Sequence, residues 1–392
     1  MQSIPPVRSA FGSVRIAGRA EVEGLAAWRS AFAEVRKDFR YFQIVEDTLP
    51  QRFEHGYFVM EDPSGSVKAV QPFFLLQQDL LQGAGPKAAK WIGRVRKVWP
   101  KALTMRTLMV GCAAGEGHLA SAGEPEEAGW IADLLHSALR PMARRLRARM
   151  VVLKEFPARY RQPLARFSAN GYTRVPSLPA ARLSLDYPSF DEYMKRVLSH
   201  ATRKDLRRKF RDAEAGEPIE MQAVTDISPY VDEVYPLYRQ VFERSALRFE
   251  ELTPDYFRRV GREMPDRARF FIWRRKGRAI AFSFCMAEGD TLHDEYVGLD
   301  YSVALDLHLY FYTLRDVISW AMQNGFKWYS STALGYKPKL QLKCELVPLD
   351  LYVAHTFGPA NWVLGRVLPL LEPTRSEPTL RKFPNFADLW GK

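Results

Sequence analysis

"RFFIWRRKGRAIAFSFCMAEGD", Arg269 to Asp290, decides how the chain is read. Two runs rich in aromatic and β-branched residues meet at Lys276-Gly277, so the stretch predicts a strand, a tight turn and a second strand. The same device occurs earlier in "YFVMEDPSGSVKAVQPFFLLQQ", Tyr57 to Gln78, around a Ser-Gly turn. Working outward, each hairpin is followed by another strand, "TLMVG" (Thr107 to Gly111) and "TLHDEYVGL" (Thr291 to Leu299). A loop and an amphipathic helix come next in both halves. The helices are predicted over Glu127 to Arg149 and Leu307 to Gln323 by their apolar spacing. Pro141 lies inside the first and predicts a kink or break there. Each helix leads into a further strand, "MVVLKEF" (Met150 to Phe156) and "KWYSST" (Lys327 to Thr332).

One element order used twice predicts an α/β (α+β) chain of two tandem domains, each a mixed twisted sheet flanked by helices. The junction falls in "GYTRVPSLPAARLSLDYPS" (Gly171 to Ser189), where Pro176, Pro179 and Pro188 interrupt periodicity. The expected boundaries are 1–185 and 186–355, with "ARLSL" closing the first sheet. A tail, 356–392, is expected to pack on the domains, a membrane or partner contact being its alternative.

Composition bounds the function classes. At 392 residues the chain exceeds one hydrophobic core, and 47% hydrophobic with 26% charged residues is globular rather than disordered. Lys plus Arg number 57 against 45 Asp plus Glu, a formal +12, which favours anionic partners without choosing among them. Cys112, Cys285 and Cys344 are scattered and odd in number, with no Cys/His spacing for a metal, so thiols in a reducing cytoplasm are expected. The start lacks the apolar core of a signal peptide, and no uncharged apolar run is long enough to predict a spanning segment.

"LSHATRKDLRRKFRD", Leu198 to Asp212, concentrates six Lys and Arg. Phe190, Tyr193, Met194, Val197, Leu198 and Ala201 form one apolar stripe, while Leu206 and Phe210 face elsewhere, so a bend or break is predicted near Ser199 to Thr202. Lys204, Arg207, Arg208 and Arg211 lie opposite Leu206 and Phe210. That face is either simply solvated or a phosphate-contacting patch that adds affinity without base readout, and it predicts no sequence-specific DNA binding.

The duplicated order resembles the GNAT acyltransferase fold in tandem and is similar to the FemAB-like branch. Four segments carry the resemblance: Phe190 to Phe210, Tyr235 to Val260, Leu292 to Tyr329, and "GYKPKLQLKCELVPLDLYV" (Gly335 to Val353). The first half matches mainly in element order. The resemblance implies acyl transfer from a thioester, acyl-CoA or an acyl-carrier protein, to a small-molecule amine, with no permanently bound cofactor. The FemAB-like branch implies aminoacyl-tRNA as the alternative donor. One departure bears on the donor. Many GNAT domains hold CoA pyrophosphate on a glycine-containing loop at a helix N-terminus. Here the second-half loop, "GLDYSVALDLH" (Gly298 to His308), has no glycine after Gly298. The first-half counterpart, "GCAAGEGHLAS" (Gly111 to Ser121), is glycine-rich but lacks a Gln or Arg leader, and it does not continue as a dinucleotide-binding loop.

Amine attack on a carbonyl needs a base for the ammonium proton, a donor for the oxyanion and an acid for the leaving group. "HDEY", His293 to Tyr296, crowds ionisable groups onto a central strand, where unpaired charge is costly unless a cleft lies beside it. Alternation sends His293 and Glu295 to one face and Asp294 and Tyr296 to the other. Glu295 is the candidate base and His293 the next; a solvated strand end pairing with surface Arg is the plain alternative. Tyr336 is the candidate acid. Lys337, Lys339, Arg203, Arg207, Tyr296 and Asp300 are candidates for holding donor or acceptor, although Asp300 and Asp306 also suit helix N-caps. No metal ligands are expected. A duplicated fold without chemistry, acting as a binding protein, is the reading from another class.

Overall fold

The computed structural model describes residues 4–49, 52–79, 104–121, 125–245 and 248–391. Its strands, in chain order, are β1 (Val7–Ser9), β2 (Gly12–Ala17), β3 (Glu54–Glu61), β4 (Val67–Asp79), β5 (Thr104–Val110), β6 (Met150–Pro157), β7 (Thr173–Pro176) and β8 (Ala180–Ser184). They continue with β9 (Ile219–Val224), β10 (Ala268–Arg275), β11 (Arg278–Glu288), β12 (Thr291–Leu299), β13 (Trp328–Ser331), β14 (Glu345–Val347) and β15 (Leu349–His355). Helices of six or more described residues are α1 (Phe39–Thr48), α2 (Pro125–Arg145), α3 (Phe190–Val197), α4 (His200–Glu214) and α5 (Val231–Arg244). The rest are α6 (Pro254–Glu263), α7 (Leu309–Gln323), α8 (Tyr336–Gln341) and α9 (Gly358–Leu371).

The chain forms two compact units. One comprises Met1–Leu178, Pro348–Pro378 and Ala387–Lys392; the other comprises Pro179–Val347 and Thr379–Phe386. The first holds a sheet ordered β1-β2-β3-β4-β5-β6-β15-β7, the second a sheet ordered β14-β8-β13-β12-β11-β10-β9. Each sheet is antiparallel except for one central parallel step, β5 with β6 and β12 with β13. Both predicted hairpins are present. The second turns through Lys276 and Gly277 with φ of 52° and 75°, the pair of left-handed residues that a two-residue hairpin matched to strand twist requires.

Three expectations are corrected. The "ARLSL" segment, β8, does not close the first sheet; it pairs with β13 and β14 in the second. The strand that lies between β6 and β7 in the first sheet is β15, from residues expected in the second domain. The unit boundaries accordingly fall at 178/179 and 347/348 rather than at 185 and 355. A strand's own residues set which face is apolar, and several partners satisfy that pattern equally. Helix α2 runs through Pro141 as one element. The predicted break after Val197 is present: Leu198 is extended, and Ser199 Oγ caps α4 by accepting from the Thr202 N–H.

The second sheet is covered on both faces. On one, Phe257 of α6 meets Tyr238 of α5 and also Phe282 and Phe284 of the sheet, with the Phe270 and Phe284 rings stacked 4.8 Å apart. On the other, Tyr193, Leu206, Phe210, Leu314 and Ile318 form a continuous apolar core with Phe271, Ala281 and Cys285. Burial of each large side chain contributes roughly 1.5–3 kcal/mol, which fixes the central strands rigidly between the layers.

Candidate active site

Strand β12 is the middle strand of the second sheet. It runs parallel to β13 from the Thr291–Trp328 pair to the Asp294–Ser331 pair; there the register ends, while β12 continues to Leu299. Thr332 bridges the end of the ladder, its N–H donating to the Asp294 carbonyl at 3.3 Å and its Oγ1 to the Glu295 carbonyl at 3.2 Å. Against β11 the register shifts between Phe284 and Cys285, which lie opposite Tyr296 and Asp294. Glu295 is thus the extra residue of a β-bulge, placed where the parallel ladder stops.

The bulge breaks the alternation expected for "HDEY". Asp294 and Tyr296 do not share a face. Tyr296 stacks on Phe284 with rings 6.4 Å apart and donates to Glu250 Oε1 at 2.7 Å. Asp294 turns to the opposite side, where Oδ1 accepts from Ser283 Oγ at 2.7 Å and Oδ2 from the Tyr329 hydroxyl at 2.6 Å. Burial pushes the Asp294 carboxyl above its ordinary range, opposed by these two donors, and pushes the Tyr329 phenol well up. Glu295 itself is 5% exposed.

Lys339 completes this group. It is 3% exposed, and its ammonium donates to the carbonyls of Thr332 and Leu334, the latter at 2.7 Å. Burial lowers its pKa to about 8, with Cys344 and Asp294 acting the other way. The two carbonyls it holds belong to the turn after β13, where Leu334 and Gly335 take φ of 74° and 59°. A side chain at Gly335 would stand 2.8 Å from the Tyr310 hydroxyl, so glycine serves both the backbone and the space there.

The two units differ at this point. In the first, the ladder between β5 and β6 ends at the Val110–Leu153 pair, and the loop after β5 folds back across it. Gly117 N–H donates to the Glu155 carbonyl at 3.2 Å, and Lys154 Nζ to the Gly115 carbonyl at 2.7 Å. Glu116 is held by Arg36, Lys37 at 2.9 Å and His118 at 3.4 Å, which keep its carboxyl well below the ordinary range despite burial. "GCAAGEGH" is therefore a self-satisfied plug. In the second unit the loop after β12 turns the other way. Asp300 N–H donates to the Ile280 carbonyl on β11 at 2.9 Å, and Tyr301 N–H to Gln240 of α5 at 3.0 Å.

The remaining predicted residues sort by what they touch. Asp300 is a turn former: Oδ1 accepts from Ser302 N–H and Oγ, and Oδ2 pairs with Arg278 at 2.8 Å. Asp306 caps nothing, since α7 begins at Leu309 after His308 without a side-chain cap. Tyr336 is buried and donates to the Pro179 carbonyl at 2.7 Å, which ties α8 to the start of β8. Arg203 donates to the carbonyls of Lys195 and Leu198 and so caps the end of α3. His293 pairs with Met286 on β11 and Ser330 on β13. Lys337 and Arg207 are exposed. Glu295, Thr332 and the Lys339–Asp294 group thus gather at the ladder's end, while Tyr296 and Arg203 do not. The roles of Asp294, Ser283 and Tyr329 escaped the sequence reading, because their bonds join three strands that only the fold aligns. No cluster of potential metal ligands occurs among the described residues.

A duplicated sheet with one parallel step at its centre, opening at a bulged middle strand, defines the tandem GNAT-type, FemAB-like fold. Residues 200–337 match the family model described as the acetyltransferase (GNAT) domain, which makes the second unit an acyltransferase domain. No curated protein matches the chain. Among solved structures, FemX aligns with a TM-score of 0.52 at 10% identity, over 90% of this chain and 100% of that one. The C-terminal domain of a putative lysylphosphatidylglycerol synthetase from Agrobacterium fabrum aligns with a TM-score of 0.51 at 12% identity, over 87% and 96%. The structure titled L-PGS from Bacillus licheniformis gives 0.50 at 11%, over 92% and 98%. At such identities the likeness concerns the fold alone.

Proposed function

We propose that the second unit transfers an activated acyl group to an amine at the open edge of β12, with Glu295 taking the proton from the attacking nitrogen. The observation that carries this reading is the end of the β12–β13 ladder at Asp294, with a buried carboxylate on the next residue. Beyond that point the β12 backbone has no registered strand on its β13 side, so its N–H groups are suited to receive the developing oxyanion. Glu295 as base takes a proton from the ammonium and so frees its lone pair; the nitrogen forms the new C–N bond as the C–S or C–O bond breaks, and the departing thiolate or ribose alkoxide regains a proton from water. His293, one strand pair back, is the second candidate for proton handling. Exposed Lys337 and Arg207 suit phosphate or carboxylate contacts.

The donors that the resemblance implies are a thioester, acyl-CoA or acyl-carrier protein, and in the second reading an aminoacyl-tRNA. One feature favours the second. The amides of residues 300–304 and 307–309, in the loop where a CoA pyrophosphate would be cradled, are already bonded to carbonyls or side chains. An ester on tRNA needs no such cradle, only cations along a backbone. Burial pushes the thiols of Cys112 and Cys344 up to about 12, which disfavours the reactive thiolate.

Turnover with acyl-CoA, acyl-carrier protein and aminoacyl-tRNA against a pool of amines tests the reading. We expect turnover with aminoacyl-tRNA, and a Glu295→Gln variant lowered about 10²-fold or more in kcat. Turnover of none of the three by a folded chain supports the binding-protein alternative. Activity left intact by Glu295→Gln removes the assigned base.

A further inference from the structure

Helix α9, in the first unit, is apolar along most of its length and turns large apolar side chains outward. It packs on β7 and β15, with Gly365 so close to Thr173 that a Cβ there would stand 3.2 Å from the hydroxyl. The opposite side exposes Trp362 (62%), Val363 (51%), Val367 (39%), Leu370 (66%) and Leu371 (62%), preceded by Phe357 (63%). These are six of the eight exposed large apolar side chains among the described residues, and helical spacing sets those of α9 on one stripe. A patch of this kind on a folded protein marks a surface that binds something.

Charge says what. From 351 to 376 the sole acid is Glu372, which is 4% exposed and paired with Arg375 at 3.2 Å. Cations surround the stripe. The Arg366 guanidinium lies 3.5 Å from the Trp362 ring centre. At the helix start, Arg144 donates to the Thr356 carbonyl at 3.0 Å, and Thr356 N–H donates to the Arg149 carbonyl at 2.8 Å. This brings the exposed Arg144 and Arg149 to that end. At the helix finish, Arg375 donates to the Pro369 carbonyl at 2.8 Å. With 14 residues α9 is too short to cross a bilayer, and no helix among the described residues is long and apolar enough to do so. An apolar stripe bearing Trp at its edge, fringed by Arg and without exposed acid, has the composition of a helix lying in the lipid headgroup layer. A second copy of the chain would bring the same arginines face to face across a symmetric contact, which is repulsive.

We propose that α9 and its arginine fringe dock the protein on an anionic phospholipid surface, peripherally and reversibly. The test is co-sedimentation of the full chain with vesicles of phosphatidylcholine mixed with phosphatidylglycerol, against phosphatidylcholine alone. Binding to the anionic vesicles is expected to be at least about tenfold tighter and to weaken as salt is raised. Trp362→Glu with Leu370→Glu abolishes it, and Arg149→Glu with Arg366→Glu weakens it about tenfold. All four side chains are exposed, so far-ultraviolet circular dichroism melts should match wild type. Equal binding to both vesicle types, no binding, or a doubly substituted Trp362/Leu370 variant that still binds would overturn the proposal. So would a concentration-dependent dimer dissolved by those same two substitutions.

Discussion

Lys339 carries the clearest residue-scale consequence. Its ammonium is enclosed, and its hydrogen bonds hold the turn after β13, beside the group formed by Asp294, Tyr329 and Ser283. An unfolded lysine titrates near 10.5, whereas the folded one titrates at about 8. Between those values the unfolded chain holds more protons than the folded chain, so this residue makes stability rise with pH; below about 8 its full penalty applies. The stability of wild type relative to Lys339→Met, from urea midpoints at several pH values, should therefore improve from pH 8 to 10.5. Parallel curves would mean that the amine stays charged in both states. Little of this was legible. A Tyr-Lys-x-Lys run reads equally as an exposed basic loop and as a donor clamp, and only the chain's return over β13 turns Lys339 inward while leaving Lys337 outside.

At the element scale, β12 joins the fold to the chemistry. Its polar content was legible as a central strand with four ionisable residues, which directed attention to Glu295. Its bulge was not, because a bulge is an agreement between two strands about register and leaves no mark on one of them. That single extra residue separates Asp294 from Tyr296 and sets Glu295 at the end of the ladder. Helix α5 presses on the same strand at Gly298, where a Cβ would stand 2.6 Å from the Tyr238 backbone nitrogen and 2.7 Å from the Leu237 carbonyl carbon. These neighbours are backbone and cannot rotate aside. Gly298→Ala should therefore cost roughly 1–3 kcal/mol in denaturant unfolding, by lifting α5 from β12. Because the strand's loosened portion begins three residues from Glu295, kcat should fall with it. A stable variant of unaltered kcat would show that α5 yields freely there.

For the whole molecule, the element order read from the sequence predicts two mixed sheets flanked by helices, yet it misassigns the two strands that sit beyond their parallel steps. Strands β8 and β15 occupy equivalent places, β8 between β13 and β14 and β15 between β6 and β7. Alternating apolar residues give each a buried face; nothing in either run names the sheet it joins. The assignment has a consequence for independent folding. A chain of residues 186–355, the domain expected from proline spacing, lacks β8, so β13 and β14 lose the strand that pairs with both. It also lacks the Pro179 carbonyl that the buried Tyr336 hydroxyl uses, and it carries β15 without β6 or β7. A chain of residues 179–347 keeps the entire second sheet and gives up, of its unit, only Thr379–Phe386, whose Asn385 bonds Leu346 of β14. An unpaired central edge and an orphaned buried hydroxyl together cost several kcal/mol, comparable with the whole stability of a domain this size. The shorter-starting chain, 179–347, should melt cooperatively with dispersed amide resonances, whereas 186–355 should show neither. Cooperative melting of 186–355 would mean that the second unit closes without β8, and the strand assignment on which its site geometry rests would fall with it.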